Sequence, residues 1–365
     1  MSDALEVLSI GFTAARFLTS IGPLTMRVLI MSAMYPTPEN PAFGSFVRTQ
    51  VESLKRAGLA VEVLALQGRF RKLIYPRGVL QLRQRLKAGA FDLVHAHYSY
   101  VGMVARTQWS VPVVVTYHGD DLLGTVNEHG EKTQMSRLIV AAGKKLAQRV
   151  DACIVQTQEM CDALPKGTVF VIPHEVDFDT FKPTNREQAR ATLGLQRDRR
   201  YLLFAANPQI PVKRFPLAQA VARHLAGRDP AIELLVVYKE PQERLALYMS
   251  ACDALLFPSY QEGSPNVVKQ AMACNLPIVA TDVGDVRQVI GNCQGCYVCG
   301  PSTEEFSARG HQILVNRDRT TGRDHVRHLD SLTVAKQVIG VYEHVIRQRP
   351  HPLSDRVESD ALLQQ

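Results

Sequence analysis

The fold is decided by residues 260–290, which read YQEGSPNVVKQAMACNLPIVATDVGDVRQVI. The run just before them, residues 253–258 (DALLFP), has the length and apolar character of a buried parallel strand. After a short loop, Ser264 and Pro265 occupy the positions of a helix N-cap and a first helical residue. A strand, a loop and a capped helix in this order point free backbone N–H groups at the space beyond the strand, where a phosphate or another anion binds.

Two polar side chains flank this predicted anion site. Glu262 lies in the loop beside Gly263, and Gln270 follows about two helical turns into the helix. Both side chains can therefore reach one ligand from opposite sides. Since a loop glutamate is more often simply solvated, the geometry alone favours a ligand site only slightly.

The composition is that of an ordinary globular protein with room for two domains. The chain has 365 residues, of which 46% are hydrophobic and 21% are charged. Its formal charge of +7 and its pI near 9.0 favour anionic partners such as nucleotides, phosphates or an acidic membrane surface. Seven cysteines are too few for a disulfide scaffold and fit a reducing, cytoplasmic setting.

Two features of the chain suggest other classes of protein and are interpreted conservatively. Cys293, Cys296 and Cys299 have the C-x2-C-x2-C spacing of some metal sites, but no fourth ligand follows nearby, so structural cysteines are preferred. No run approaches the roughly 20 apolar residues that cross a bilayer. Residues 1–25 lack the layout of a cleavable signal, and we interpret them as an extension outside the fold, either disordered or produced by an upstream start.

From Met26 onward, strands alternate with helical spans, which predicts parallel sheets. The pattern lapses at residues 173–183 (PHEVDFDTFKP), which we interpret as an interdomain linker. The predicted architecture is α/β, with two Rossmann-like domains, residues 26–172 and 184–330, that face a central cleft. A helix at about residues 331–349 is expected to return to the first domain. Neither half carries G-x-G-x-x-G after a strand, which counts against a nicotinamide or flavin enzyme.

Residues 69–87 are strongly basic, with apolar residues between the charges. A cationic amphipathic face of this kind can lie against anionic lipid. A solvated helix face whose leucines pack on the sheet explains the pattern equally well. The patch is thin for nucleic acid and has no module signature, so no nucleic-acid partner is predicted.

The opening stretch resembles the donor-site signature of glycosyltransferase family 4, a family of retaining enzymes with the GT-B fold. In that signature, two glutamates separated by seven residues precede a motif of the type Ala-Met-Ala-Cys/Gly-x-Pro. Here it stands as Glu262-GSPNVVK-Gln270-AMACNLP. The chain is similar in particular to members that build bacterial surface polysaccharides of the teichuronic-acid type. Further segments that resemble the family are residues 43–47, 92–97, 116–124, 172–183 and 206–215.

The resemblance implies a sugar-nucleotide site and a role for each matching residue. Glu262 would contact the transferring sugar, Gln270 takes the place of the residue that holds the ribose, and His118 would lie near the scissile bond. Lys213 and Arg214 would supply cations to the leaving diphosphate, so no metal and no other cofactor is expected. The other implied donor-binding residues are Asn207, Gly263, Ser264, Asn266 and Val267, and the implied acceptor or phosphate-loop residues are Gly44 and Asp120.

Two pairs of side chains near these positions invite a metal interpretation. Asp120 and Asp121 are adjacent, but this family needs no such metal, so we interpret them as acceptor-facing or helix-capping residues. His95 and His97 are two residues apart on a predicted strand and point the same way. Core packing and support of the cleft are preferred to a zinc site for this pair.

The chain also departs from the family pattern. Gln270 replaces the second glutamate and loses a charged, bidentate acceptor. Ile210 stands where an arginine is common, and Gln288 stands where a glutamate is frequent. The linker reads Ile-Pro-His-Glu-Val-Asp, with Glu175 in place of a glycine, where the family usually has Ile-Pro-Asn-Gly-Val-Asp. Because of these losses, a second interpretation remains: a catalytically impaired GT-B protein that binds a sugar nucleotide or a partner enzyme. A third, a sugar-nucleotide epimerase on the same fold, has no support in the signature.

The sequence therefore predicts a retaining glycosyltransferase that uses a UDP- or GDP-linked sugar. The expected acceptor is a saccharide or a lipid-linked saccharide in cell-surface polysaccharide biosynthesis. The expected location is the cytoplasm, peripheral on the inner face of the cell membrane, with residues 69–87 against anionic lipid.

Overall fold

The computed structural model describes residues 26–348 except residues 69, 71–72, 128–130 and 166. The interpretation of residues 1–25 as an extension thus falls outside the described residues. The strands are β1 Arg27–Ser32, β2 Ala60–Ala65, β3 Leu93–His97, β4 Val113–Thr116, β5 Ala152–Val155, β6 Val169–Val171, β7 Arg200–Phe204, β8 Ile232–Val236, β9 Ala254–Phe257, β10 Ile278–Thr281 and β11 Cys296–Cys299.

The strands are connected by helices of very different length. The α-helices are α1 Ser45–Arg56, α2 Ile74–Ala88, α3 Ser99–Ala105, α4 Asp120–Leu123, α5 Gln134–Ala147, α6 Gln158–Asp162, α7 Arg186–Leu193, α8 Phe215–Ala226, α9 Gln242–Ala251, α10 Asn266–Ala273, α11 Val286–Ile290, α12 Thr303–Asn316, α13 Gly322–His325 and α14 Ser331–Gln348. Short 3-10 helices cover Pro211–Lys213 and Arg327–Leu329.

The first sheet has six parallel strands in the order β2-β1-β3-β4-β5-β6. Its central strands are buried on both faces, as the β-branched run of Val113–Thr116 leads one to expect. The strand order reverses between β1 and β3, so a crevice opens beyond their carboxyl ends. The loop that contains Gly44 follows the carboxyl end of β1, and Tyr98 follows the carboxyl end of β3.

The second sheet has five parallel strands in the order β11-β10-β9-β7-β8. Here the order reverses between β7 and β9, which places a second crevice beyond these two strands. The segment with Lys213 follows β7, and the loop with Glu262 follows β9. The predicted α/β class with two parallel sheets is confirmed.

The last described helix, α14, packs on the first sheet rather than on the second. Val334, Val338, Val341 and Tyr342 are buried in one core together with residues of α1 and β1. A parallel bridge between Val176 and Asp330 holds the linker segment beside the chain that enters α14. The domain boundaries given above remain a proposal.

The predicted basic stretch contains α2, which begins at Ile74. Leu82 is buried in the core, whereas Leu73 and Leu80 are 46% and 60% exposed. The basic residues Arg69, Arg71 and Lys72 lie outside the described part of the chain. No helix in the described part is both long and apolar enough to cross a membrane.

Candidate functional site

A cavity of about 410 Å³ is lined by residues that follow strands of both sheets. It lies where the two crevices face each other. The predicted site residues that line it are His118, Asp120, Asn207, Lys213, Glu262, Gly263, Ser264, Asn266, Val267 and Gln270. The structure therefore brings these residues together around one space, although they are spread over much of the chain.

Lys213 and Glu262 form an ion pair within the cavity. The distance between Lys213 Nζ and Glu262 Oε1 is 2.6 Å, and the side chains are 26% and 14% exposed. The lysine ends the 3-10 helix after β7, and the glutamate lies in the loop after β9. The pair therefore offers a cation to an anionic ligand and a carboxylate to a neighbouring hydroxyl group.

The loop after β9 rests on a second, fully buried ion pair. Lys269 Nζ lies 2.9 Å from Asp285 Oδ2, and Ser264 Oγ, which also accepts a hydrogen bond from Lys269, donates to Asp285 at 2.7 Å. The Ser264 hydroxyl group bonds to Asp285 and Lys269 and does not cap the helix. The prediction that Ser264 is the helix N-cap is therefore wrong. The helix begins at Asn266, with Pro265 in the cap position and no side-chain cap.

Close approaches of backbone fix the position of the same loop. Gly284 has φ +54°, and a Cβ there would lie 2.2 Å from the carbonyl oxygen of Gly263. A Cβ on Gly263 would lie 3.1 Å from Cα of Gly119, which belongs to the loop after β4. The floor of the cleft is therefore a contact between backbone segments of the two halves, with no room for side chains.

Two predicted site residues do not line the cavity. The Arg214 backbone is left-handed (φ +50°), its guanidinium lies 4.2 Å from the ring centroid of Tyr260, and it donates to the Pro301 carbonyl oxygen. Gly44 precedes α1 with φ +67°, and a Cβ there would lie 2.3 Å from the Met34 carbonyl oxygen. The glycine thus shapes the first loop without facing the ligand space.

Gln270 meets a second amide at the cavity wall. Its Nε2 donates to Oε1 of Gln242 at 3.4 Å, and Gln242 Nε2 donates in turn to Ser45 Oγ at the start of α1. All three residues line the cavity. Two amides therefore stand where the family signature has one carboxylate, and they connect the two halves of the molecule. Of the other departures, Ile210, Gln288 and Glu175 do not line this cavity, whereas His174 does.

His118 lies at the cavity with both ring nitrogens engaged by other histidines. Its Nε2 is 3.1 Å from His97 Nδ1, and its Nδ1 is 3.3 Å from His174 Nε2. Burial, followed by the neighbouring histidines, lowers the pKa of His118 well below its usual value. His95 lies deeper and pairs with Tyr342 Oη and Thr116 Oγ1, which is a structural role.

The two neighbouring aspartates have different surroundings. Asp121 is buried and accepts the backbone N–H groups of His118 and Ser99, and burial raises its pKa to about 6. Asp120 is exposed to the open cleft yet surrounded by protein on most sides. This desolvation, followed by repulsion from Glu262, raises the pKa of Asp120. Of the two, Asp120 is the one placed to meet a ligand.

A second cavity, of about 760 Å³, lies entirely in the first half. It meets the first cavity at Tyr98 and Asp120, which line both. Its walls carry Tyr75 and Tyr100, whose ring centroids are 6.0 Å apart. Aromatic walls beside a carboxylate suit a sugar ring and its hydroxyl groups.

Sequence reasoning missed several cavity residues. Tyr98, His174, Lys239 and Gln242 all line the first cavity. Tyr98 and Lys239 have positive φ values of 71° and 63°, an unusual backbone state that the sequence does not display. The signal that was available is His174, which stands where the resembling linker has asparagine.

The described residues hold no group of three or more histidine, cysteine, aspartate or glutamate side chains arranged for a metal ion. Cys293 and Cys296 are buried in a hydrophobic core beside the second sheet, where Cys296 Sγ contacts Met272 Sδ at 3.7 Å. Their surroundings are those of core residues.

Two family models match the chain. Glycosyltransferase Family 4 matches residues 43–180, and Glycosyl transferases group 1 matches residues 200–316. Together the two ranges take in more than two thirds of the chain.

Individual relatives agree with these matches. The chain is 28% identical to D-inositol 3-phosphate glycosyltransferase of Mycobacteroides abscessus over 293 aligned residues, and the match covers 70% of this chain and 65% of that protein. It is also 25% identical, over 331 aligned residues, to TuaC of Bacillus subtilis (strain 168), whose name describes a glycosyltransferase of teichuronic acid biosynthesis. That match covers 74% of this chain and 84% of TuaC. The match spans slightly less than two thirds of the length of the D-inositol 3-phosphate glycosyltransferases.

Solved structures show the same fold at low identity. Sucrose-phosphate synthase from Thermosynechococcus elongatus superposes with a TM-score of 0.72 at 19% identity, covering 89% of this chain and 100% of that one. Anabaena Alr3699/HepE in complex with UDP-glucose superposes with a TM-score of 0.63 at 16% identity, covering 87% and 100%. The chain belongs to glycosyltransferase family 4 and has the two-domain GT-B fold.

Proposed function

We propose that this protein transfers a sugar from a nucleotide-sugar donor to a saccharide or lipid-linked acceptor with retention of anomeric configuration. The observation that carries the proposal is the single cavity in which Lys213, Glu262 and Gln270 converge. The cavity lies beyond the point at which the strand order of the parallel sheet reverses, and nucleotides bind at such points in α/β proteins. Family membership supports the same reaction class.

The chemistry needs groups that stabilise a departing diphosphate. Lys213 supplies a cation, and the N-terminus of α10 supplies backbone N–H groups and the positive end of a helix dipole. Glu262 would bind hydroxyl groups of the transferring sugar and hold its anomeric carbon in place. The leaving phosphate itself would help to accept the acceptor's proton, in keeping with front-face attack.

The donor is proposed to be UDP-linked. Alr3699/HepE, which has the same fold, was solved with UDP and with UDP-glucose. A GDP-linked donor is the alternative. Lys213 and the α10 N-terminus would hold the diphosphate of either donor, so no metal is required in this proposal.

The acceptor is proposed to enter through the second cavity. A sugar ring stacked on Tyr75 or Tyr100 would place a hydroxyl group near Asp120, where the two cavities meet. The name of TuaC supports a cell-surface polysaccharide as the product. Synthesis would then take place in the cytoplasm, at the inner face of the membrane.

A donor screen followed by a transfer assay tests the proposed function. Thermal shift with UDP, GDP and their common sugar conjugates identifies the donor, and the labelled donor is then incubated with a membrane lipid extract. We expect the labelled sugar to be transferred to a component of the lipid extract. In the absence of the extract, we expect slow hydrolysis of the donor. Unchanged thermal stability with every nucleotide would contradict the proposal.

The alternative, a catalytically impaired protein that binds a sugar nucleotide or a partner enzyme, is favoured by Gln270. A glutamine accepts one ribose hydrogen bond where a carboxylate accepts two charge-assisted ones. Gln242 supplies a second amide oxygen close by, so the loss is partly offset. Turnover by the unmodified protein would exclude this alternative.

Gln270→Glu is expected to tighten UDP binding by about five- to thirtyfold, because hydrogen bonds to a charged group contribute about 1–2 kcal/mol more than neutral ones. Isothermal titration of UDP measures the change. As a control, 2′,3′-dideoxy-UDP should bind both proteins equally, since it lacks the ribose hydroxyl groups. A gain that persists with this analogue would show that Gln270 does not face the ribose.

Membrane contact is proposed around the mouth of the second cavity. Leu73 and Leu138 are 46% and 67% exposed and directly precede Ile74 and Ile139, which line that cavity from α2 and α5. Met135, also on α5, is 67% exposed. Exposed apolar side chains beside a basic helix suit an anionic bilayer.

Sedimentation with liposomes tests the membrane contact. We expect binding to vesicles that contain anionic lipid, with release as the salt concentration rises. Replacing Leu73 and Leu138 together by glutamate should abolish sedimentation and leave UDP binding unchanged. Equal binding to neutral and anionic vesicles, or no binding, would contradict this part of the proposal.

A further inference from the structure

Three histidines from separate parts of the chain form one hydrogen-bonded row beside the cleft. His97 ends β3, His118 follows β4, and His174 lies in the segment between the two sheets. The nitrogen–nitrogen distances along the row are 3.1 and 3.3 Å. Since both nitrogens of His118 are used within the row, its ring has none free for a ligand.

Aromatic rings hold this row in place. The Phe46 ring centroid lies 4.9 Å from that of His118 and 5.5 Å from that of His174, and the Tyr98 centroid lies 4.3 Å from that of His118. The planes of His118 and His174 differ by only 6°. The orientation of the row is therefore set by packing before any ligand binds.

Burial favours the uncharged form of every ring in the row. Burial is the first cause of a pKa well below the usual value for His118 and His174, and it lowers the pKa of His97 to about 3. A neutral imidazole carries one N–H group and one acceptor nitrogen. A row of such rings has only two arrangements, with every N–H directed towards the cleft or every N–H directed away from it.

The buried end of the row distinguishes between these arrangements. His97 Nε2 is buried and has no hydrogen-bond partner among the described residues. If the N–H groups pointed away from the cleft, this atom would be an unpaired buried donor, which is the rarer and more costly state in proteins. The other arrangement leaves only an unshared lone pair there. The favoured direction therefore runs from His97 through His118 to His174.

We propose that His174 presents its Nδ1–H group to the leaving diphosphate of the donor, and that His97 and His118 are positioning residues that fix this direction. His174 lines the cavity, and the described residues show no hydrogen bond from its Nδ1. Each N–H group polarises the next, so the last one is a stronger donor than an isolated imidazole. The inference rests on the proposed function, because it needs a donor with a leaving diphosphate.

The first arm of the test reads the tautomers directly. The full chain is labelled with ring-15N histidine, and the His174 signals are assigned from their loss in His174→Asn. We expect Nδ1 to carry the proton and Nε2 to be bare, and addition of UDP should shift the Nδ1 signal. A proton on His174 Nε2, or an Nδ1 signal that UDP leaves unmoved, would overturn the proposal.

The second arm separates binding from catalysis. His174→Ala is expected to lower kcat by about 10- to 100-fold and the affinity for UDP by less than about threefold, since a donor aimed at developing charge acts mainly in the transition state. His174→Asn, which restores the residue usual in the family and keeps an N–H donor, should stay within about threefold of the parent in kcat. Loss of UDP affinity equal to the loss of kcat, or unchanged kcat in His174→Ala, would contradict the inference.

Failure of the proposed function gives a different result from failure of the row. If the parent protein binds no nucleotide, both the proposed function and the contact with His174 are wrong, whereas the 15N spectrum of the ligand-free protein still decides the direction of the row. If the parent binds UDP and transfers sugar while His174→Ala behaves as the parent does, only the inference about His174 is wrong. Thermal unfolding of each variant confirms that it is folded.

Discussion

Replacing Lys213 by alanine is expected to lower kcat/KM for the sugar nucleotide by about 10²–10³, the usual cost of losing one group that stabilises charge in a transition state. Lys213 Nζ lies in the cavity, 2.6 Å from Glu262. Its removal deprives the diphosphate of a cation and leaves the Glu262 carboxylate uncompensated beside an anionic ligand. Both effects act in the same direction.

The neighbouring arginine provides the matched control. Arg214→Ala removes one positive charge one residue away, but this guanidinium lies over Tyr260 and bonds to Pro301 rather than lining the cavity. We expect a much smaller loss of kcat/KM for this variant. Because the Lys213–Glu262 pair is partly exposed, the free energy of unfolding of Lys213→Ala should change by only about 1 kcal/mol. Equal losses of kcat/KM in the two variants would show that Lys213 acts through long-range electrostatic attraction and not through direct contact with the diphosphate.

The fold and most of the cavity lining could be predicted because both follow from local pattern. The β-branched run Val113–Thr116 is a central strand because such a run has both faces to bury. Residues 262–267 and Gln270 form one wall of the cavity because a loop and a helix after a parallel strand must lie at its carboxyl end. The GT-B fold predicted from the family signature is confirmed by the solved structures.

The sequence did not predict contacts that join distant parts of the chain. The hydroxyl group of Ser264 serves Asp285, 21 residues away, instead of capping its own helix. Arg214 follows a cavity residue, but its left-handed backbone turns the side chain out of the cavity. Gln242 and His174 reach the site from other elements, so no spacing in the sequence connects them with Glu262.

Lys269→Met is expected to lower the free energy of unfolding by about 3–5 kcal/mol, the cost of leaving one partner of a buried ion pair alone. Lys269 is 0% exposed, and its Nζ lies 2.9 Å from Asp285 Oδ2. Burial lowers the pKa of Lys269, and the carboxylate of Asp285 opposes that shift. Without the lysine, Asp285 remains buried with a single hydrogen bond from Ser264 among the side chains described here.

Urea unfolding of the parent and of two variants measures this cost. Arg287→Met, which breaks the exposed pair with Asp282 in the same part of the chain, should change the free energy of unfolding by no more than about 1 kcal/mol. The double change Lys269→Met with Asp285→Leu should recover part of the loss, because no unpaired charge is then left buried. Recovered stability without recovered UDP affinity would show that the buried pair positions the donor loop as well as stabilising the fold, since Ser264 lines the cavity and takes its orientation from Asp285. A cost for Lys269→Met equal to that of Arg287→Met would show instead that the loop is held by its backbone contacts at Gly284 and not by the ion pair.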